Sequence, residues 1–318
     1  MATTETRPGG RELPAITLPA APWAARHAGD DYGVSDQPDW REVDWRAHLH
    51  TADIGGSPVT YVDIGEGQEA PVVFVHGLSG QWQNWLENIP RVARERRVIA
   101  LDLPGFGASE MPREEISITG YGRSVEALCE HLGLERVALV GNSMGGFIAA
   151  EVAIQFPRRV QRLVLVSAAG ITGPGMRRRP VLTFARIAAA VTAATAARHR
   201  AMARRPRARH VALSLVARHP SRLRADVAWE ALMKGAGKPA FDDALRACLD
   251  YDFRDRLPDI SCPTLIVWGR TDAVIPVRDA AEFERLIEGS RKVVMDDTGH
   301  VPMLERPAAF NDLLLDFL

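Results

Sequence analysis

The sequence predicts an α/β fold with a mainly parallel central sheet, helices on both faces and an all-helical insertion. Three observations carry this. Short Val/Ile/Leu runs alternate with longer helical stretches from Pro71 onward. Those runs are continuously apolar, as strands buried on both faces are. The alternation also stops between about Thr172 and Asp255, where only helical patterns occur, and then resumes.

Before the alternation, the first 45 residues are rich in Pro, Gly, Ala and charge with no sustained period. They read as an arm that is partly disordered or wraps the body. Ala47–Asp53 and Pro58–Ile64 alternate in polarity around Gly55-Gly56, which predicts a hairpin. Val72–His76 is the first buried strand, and Trp82–Arg94 is expected to be a helix. Val98–Asp102 is a strand, Ile118–Leu132 a helix, Val137–Val140 a strand, Met144–Gln155 a helix and Leu163–Val166 a strand. After the insertion come the strand Thr264–Trp268, a helix near Val277–Ile287, the strand Lys292–Met295 and a last helix from about Pro307. The expected organisation is an arm (1–45), a core (46–171 and 256–318) and a helical cap (172–255).

Composition excludes several classes. The 318 residues are 46% hydrophobic and 25% charged, which suits a globular chain large enough to need no staples. Net charge is −1, so the chain as a whole is not built to neutralise nucleic acid. Cys129, Cys248 and Cys262 lack zinc-site or disulfide-framework spacing. The opening residues carry no apolar signal-peptide core. The Ala/Thr-rich run Val181–Ala197 is too short and mild for stable membrane insertion. A cytoplasmic location is expected. No metal cluster or dinucleotide fingerprint is present, so neither a metal nor a cofactor is expected.

Val140-Gly141-Asn142-Ser143-Met144-Gly145-Gly146 is a G-x-S-x-G segment directly after a strand and before a helix. That context is what a nucleophile elbow requires. The turn demands small residues two either side of Ser143 and places its hydroxyl at a helix N-terminus. A serine nucleophile needs a base, itself oriented by an acid. His300, in the loop after the last strand, is positioned to be that base. Asp272, after the strand ending Val267-Trp268, is the expected acid. Asp296 and Asp297 lie nearer in sequence, but they close a strand and are read as holding their own loop.

The order Ser143, Asp272, His300 is that of the α/β-hydrolases. From about residue 55 onward the chain resembles this superfamily. The resemblance rests on Val75-His76-Gly77-Leu78, Asp102–Ser109, the elbow, Trp268–Asp272 and Gly299–Pro307. It implies an oxyanion hole from the backbone N–H groups of Leu78 and Met144. His76 would brace that loop, and Asp102 would hold the turn at Pro104-Gly105. Trp82 and Trp85 either line the substrate pocket or pack the start of the next helix.

Within the superfamily that the chain resembles, a serine nucleophile leaves esterases and lipases, C–C bond hydrolases, cofactor-free perhydrolases and acyltransferases. The expected activity is ester hydrolysis through an acyl-enzyme, on a small-molecule ester with an apolar acyl or alcohol group. The elbow also resembles that of C–C bond hydrolases of the meta-cleavage type. That group usually carries Ser-Gly-Pro-Gly after its His-Gly and a Trp after its catalytic His, where this chain has Leu78-Ser79-Gly80 and Val301-Pro302. These departures favour the ester. A ligand-binding protein on the same scaffold is the alternative from another class.

The insertion is basic, with 17 Lys and Arg against seven Asp and Glu. No aromatic residues interleave its arginines, so they read as a solvated face, not a nucleic-acid surface. Leu182, Phe184, Ile187, Leu213, Leu215 and Trp229 are expected to face inward, with Arg178, Arg205 and Arg207 outward.

Overall fold

The computed structural model describes residues 3–4, 17–172, 200–235 and 237–318. The strands are β1 (Thr3–Thr4), β2 (Leu49–Ile54), β3 (Ser57–Ile64), β4 (Val72–Val75), β5 (Val98–Leu101), β6 (Val137–Asn142), β7 (Val160–Val166), β8 (Thr264–Gly269) and β9 (Arg291–Met295). They form one sheet in the order β1-β9-β8-β7-β6-β4-β5-β3-β2. The pairs from β5 through β4, β6, β7 and β8 to β9 are parallel. The antiparallel pairs lie at the two edges, β2–β3–β5 and β1–β9. This is the α/β-hydrolase architecture that the motifs imply.

The pleat explains the unbroken apolar runs. Along β4, Val73 and Val75 point into one core and Val72 and Phe74 into the other, and all four are fully buried. The first core holds the helices Ile118–His131 and Met144–Gln155, and the second holds the C-terminal helix Pro307–Phe317. Truncating Phe74 would cost about 3–5 kcal/mol, the usual range for a buried aromatic. The β2–β3 turn has Gly55 and Gly56 at φ 64° and 81°, the two left-handed residues that a tight hairpin of this hand needs.

The expected helix Trp82–Arg94 is instead two short pieces, a 3₁₀ turn at Trp82–Trp85 and an α turn at Ile89–Val92. Pro90 lacks an N–H and is tolerated only in a helix's first turn, so it starts the second piece and cannot continue the first. Ile118–His131 does begin where the sequence suggests, because Ser117 Oγ accepts the Gly120 N–H at 3.0 Å.

Between β7 and β8 the described residues are helical or irregular: Arg200–Ala203, Pro206–Leu213, Ala225–Val227, a π turn at Ala228–Met233 and Phe241–Asp250. This insertion meets loops at the carboxyl ends of the parallel strands. Gln81 Nε2 donates to Glu230 O at 3.0 Å, Asn84 Nδ2 donates to Ala231 O, and Lys238 Nζ reaches Gly107 O at 2.6 Å. Leu213 is buried in a small cluster with Ala203, Ala228 and Met233, and the half-buried Trp229 packs on it. Leu215, expected inward, is instead 39% exposed, because the helix has ended at Leu213 and no longer sets its face. Arg205 and Arg207 are exposed as expected. Arg209 is not: its guanidinium is buried and donates to Pro220 O and Ser221 O, both at 2.9 Å, and to Ala203 O. Leu182, Phe184, Ile187, Arg178 and the run Val181–Ala197 lie outside the described residues. No described helix is long and apolar enough to cross a membrane.

The N-terminal segment from residue 17 makes three short 3₁₀ turns and is hydrogen-bonded at both ends. On the core side, Ser35 Oγ and Trp40 Nε1 donate to the buried Glu87 carboxylate at 2.9 and 3.0 Å. On the insertion side, His210 Nε2 lies 2.8 Å from Ala20 O.

Candidate active site

Ser143 sits between β6 and the helix Met144–Gln155 at φ 57°, ψ −120°. A non-glycine residue in that region typically costs about 1–3 kcal/mol and persists only where its surroundings hold it. Here they do. The Ser143 N–H donates to Val166 O at 2.9 Å, and its carbonyl accepts from Phe147 and Ala169 at 3.1 and 3.0 Å. A Cβ on Gly141 would lie 2.1 Å from Gly145 O, and one on Gly145 would lie 2.2 Å from Val75 O. The tightness of the turn therefore dictates both glycines.

His300 Nδ1 lies 2.8 Å from Asp272 Oδ2. Both side chains are buried, Asp272 almost completely. The second carboxylate oxygen, Oδ1, accepts the N–H groups of Val274 and Ile275 at 2.8 and 2.9 Å. An acceptor fixed by two backbone donors leaves the imidazole to donate from Nδ1, so Nε2 carries the free lone pair. Asn142, immediately before Ser143, donates through Nδ2 to Val166 O at 3.1 Å and to His300 O at 3.2 Å. The elbow and the histidine loop are thereby tied together.

The loop after β4 abuts the elbow, since a Cβ on Gly77 would lie 3.1 Å from Ser143 Cβ. Its brace is His76, which is fully buried. Nε2 accepts the Leu103 N–H at 3.0 Å, so Nδ1 donates to Gly77 O at 2.8 Å. Burial lowers its pKa to about 4, against a smaller opposing pull from the Gly77 carbonyl. Leu78, the next residue, is half-buried, and Met144 opens its helix, where the first N–H groups have no intrahelical acceptor. Asp102 closes its own loop by accepting from Ala108 N at 2.8 Å, and it also accepts from Trp82 N at 2.7 Å. Burial raises its carboxyl to about 6.

Trp82 and Trp85 belong to the core. Trp85 is fully buried, its ring 4.7 Å from that of Phe74 and 6.4 Å from that of Phe310, while Trp82 packs on Trp45 at 5.0 Å. Both rings join the core cluster on the sheet's second face, which insertion residues such as Leu223 and Ala231 share.

Asp296 pairs with Arg270. Asp297 does more than hold its loop, since it accepts from the insertion's His219 Nε2, 2.9 Å away. Glu305 lies within the Gly299–Pro307 motif. It is fully buried and accepts the N–H groups of Gly299 and Val301, on either side of His300, at 2.9 and 3.2 Å. Burial pushes its carboxyl up, while the Tyr32 hydroxyl and three backbone donors pull it back. The roles of Glu305 and Asn142 carried no sequence signal beyond their closeness to His300 and Ser143. Among the described residues no three His, Cys, Asp or Glu side chains converge as metal ligands would.

A family model described as the alpha/beta hydrolase fold matches residues 70–307. The chain is 34% identical over 285 residues to a 2-hydroxy-6-oxo-2,4-heptadienoate hydrolase of Pseudomonas putida, covering 83% of this chain and 94% of that one. It is 32% identical over 276 residues to the dihydrolipoyllysine-residue acetyltransferase component of an acetoin cleaving system, also of Pseudomonas putida, covering 84% and 68%. Among solved structures, the enol-lactonase from Burkholderia xenovorans LB400 superposes with a TM-score of 0.67 at 26% identity, covering 84% and 99%.

Proposed function

The chain belongs to the α/β-hydrolase fold family, and on that footing we propose that it is a serine hydrolase cleaving a small carboxylic ester through an acyl-enzyme. The observation that carries the reading is Ser143, held at a left-handed backbone angle at the head of a helix, with the buried His300–Asp272 pair tied to it through Asn142. Ser143 Oγ attacks the ester carbonyl, and His300 Nε2 takes its proton and returns it to the departing alcohol. Asp272 fixes the tautomer and steadies the imidazolium. The N–H groups of Leu78 and Met144 receive the developing oxyanion, where one such donor is worth about 10²–10³ in rate. Water then repeats the sequence on the acyl-enzyme.

The helical insertion, 172–255, acts as a lid over this edge of the core formed by 46–171 and 256–318, and residues 1–45 act as an arm. Support comes from its hydrogen bonds to the loops after β4, β5 and β9. A lid in that place excludes water and shapes the acyl pocket.

A second reading is hydrolysis of a C–C bond in a vinylogous diketone, favoured by the similarity to the heptadienoate hydrolase. The residues at Leu78-Ser79-Gly80 and Val301-Pro302 favour the ester. The test is a panel of p-nitrophenyl esters of increasing chain length beside one meta-cleavage dienoate, with the parent and Ser143→Ala. Ester turnover that exceeds dienoate turnover and is abolished in Ser143→Ala is the expected result. Turnover by Ser143→Ala within about tenfold of the parent, a change of only ~1.4 kcal/mol in the barrier, would refute the assignment of the nucleophile.

A further inference from the structure

The loop that presents His300 is held by more than its own strand. Its three consecutive N–H groups all bond outside the loop backbone: Gly299 and Val301 to the Glu305 carboxylate, and His300 to Val216 O in the insertion at 2.9 Å. Glu305 also accepts the Arg218 N–H at 2.8 Å and the Tyr32 hydroxyl at 2.5 Å. Tyr32 lies in the N-terminal arm, 273 residues from Glu305 in sequence, and is 1% exposed. Its oxygen in turn accepts the His219 N–H at 2.8 Å. The ring is fixed by its neighbours, with His219 edge-on at 5.2 Å and the Arg306 guanidinium 5.5 Å from its centroid. Arg306 is anchored to Asp31 and to Thr298 Oγ1.

Four donors converge on Glu305, and the carboxylate only accepts. The Tyr32 hydroxyl is the sole member that comes from the arm among these described contacts, and it joins the arm, the insertion and the histidine loop at a single oxygen. Removing it takes one donor from Glu305 and the acceptor from His219 N–H, both in a site without water-exposed alternatives. The carboxylate then has room to turn, and the peptide groups on either side of His300 turn with it.

We propose that Tyr32 is a positioning residue for His300, acting through Glu305, so that the N-terminal arm forms part of the catalytic apparatus. This rests on the reading of His300 as the general base. A separate anchor of the arm, Ser35 to Glu87, bonds the same segment to the core without touching this loop, and it supplies the control.

The experiment uses the full-length chain, with Tyr32→Phe, Glu305→Gln and Ser35→Ala compared with the parent. It measures kcat and KM on a p-nitrophenyl ester, thermal midpoints, and the low-field proton resonance of the His300 Nδ1–H. Tyr32→Phe is expected to lower kcat about tenfold, the scale of one lost hydrogen bond to a charged group, with KM within about twofold. Its low-field resonance should broaden or shift. Glu305→Gln, which turns an amide donor onto a ring of donors, should do the same more strongly if it folds. Ser35→Ala should leave kcat and the resonance unchanged. Parent-like kcat and resonance in Tyr32→Phe would overturn the proposal. So would equal losses in Tyr32→Phe and Ser35→Ala that follow only the fall in thermal midpoint, because the arm would then be a clamp alone. Turnover that survives Ser143→Ala fails differently: it removes the reading of the site itself.

Discussion

Lowering the pH from 7 towards 4 protonates His76 in the unfolded chain first, because the fold has no place for that proton. Nε2 already accepts the Leu103 N–H at 3.0 Å, and the ring is fully buried. Its pKa is about 4 in the folded protein against an ordinary value of 6.5. Between those values the unfolded chain binds the proton and the folded one does not. Stability from this group is therefore complete above pH 6.5 and lost by pH 4. The gap is worth roughly 3 kcal/mol, of which about 2 kcal/mol is gone by pH 5. Asp102 works in the opposite direction. Its folded value of about 6 stands above the ordinary 3.8, so the folded state takes up that proton first and gains stability as the pH falls. The total curve thus hides both, and a difference isolates one. Urea unfolding of the parent and of His76→Gln at pH 7 and pH 5 is the assay. The parent should lose about 2 kcal/mol more than the variant over that interval. Parallel losses in the two proteins would refute the argument.

Other expectations follow from the same geometry. Asp272→Asn should reduce kcat by an order of 10⁴, the scale for a residue that holds the base's tautomer, whereas Asp296→Asn should change it only severalfold. Steady-state kinetics that show equal losses would move the acid to Asp296. Gly145→Ala places a methyl 2.2 Å from a backbone oxygen of β4, so the strand must shift. A cost of about 1–3 kcal/mol or more is expected in thermal unfolding, and an unchanged midpoint would contradict the packing. Asn142→Ala strips donors from the Val166 and His300 carbonyls. It should destabilise the protein by about 1–3 kcal/mol and lower kcat, and a variant with both parent values would show that the bridge is idle.

What the sequence made legible was local. The elbow announces itself because a tight strand-to-helix turn needs glycines at fixed offsets, and Met144–Gln155 has the bounds that the pattern implies. The parallel strands are visible because burial on both faces leaves no polar alternation. The 82–94 stretch misled because its apolar spacing suits a helix, while Pro90 and the Asp102 bond to Trp82 N divide it into two turns. The two tryptophans could not be placed for the same reason, since their direction depends on which turn carries them. Leu215 was misplaced by extending a helical face past the last helical residue. Tyr32, Glu305 and Asn142 lay beyond reach of periodicity altogether. Tyr32 and Arg218 lie 273 and 87 residues from Glu305, and His300 lies 158 from Asn142, and a buried hydrogen bond across such a separation leaves no local pattern.

The sheet order has a consequence for how the protein comes into being on the ribosome. β6 and its elbow lie mid-chain, while β8 and β9, which carry Asp272 and His300, are made only after the helical insertion. At ordinary elongation speeds the stretch from Ser143 to His300 takes roughly 8–30 s to synthesise. On the proposed roles, a nascent chain can for that interval own the strained serine turn but neither Asp272 nor His300. If Ser143 works through that pair, hydrolytic competence arrives late, with the docking of the final two parallel strands.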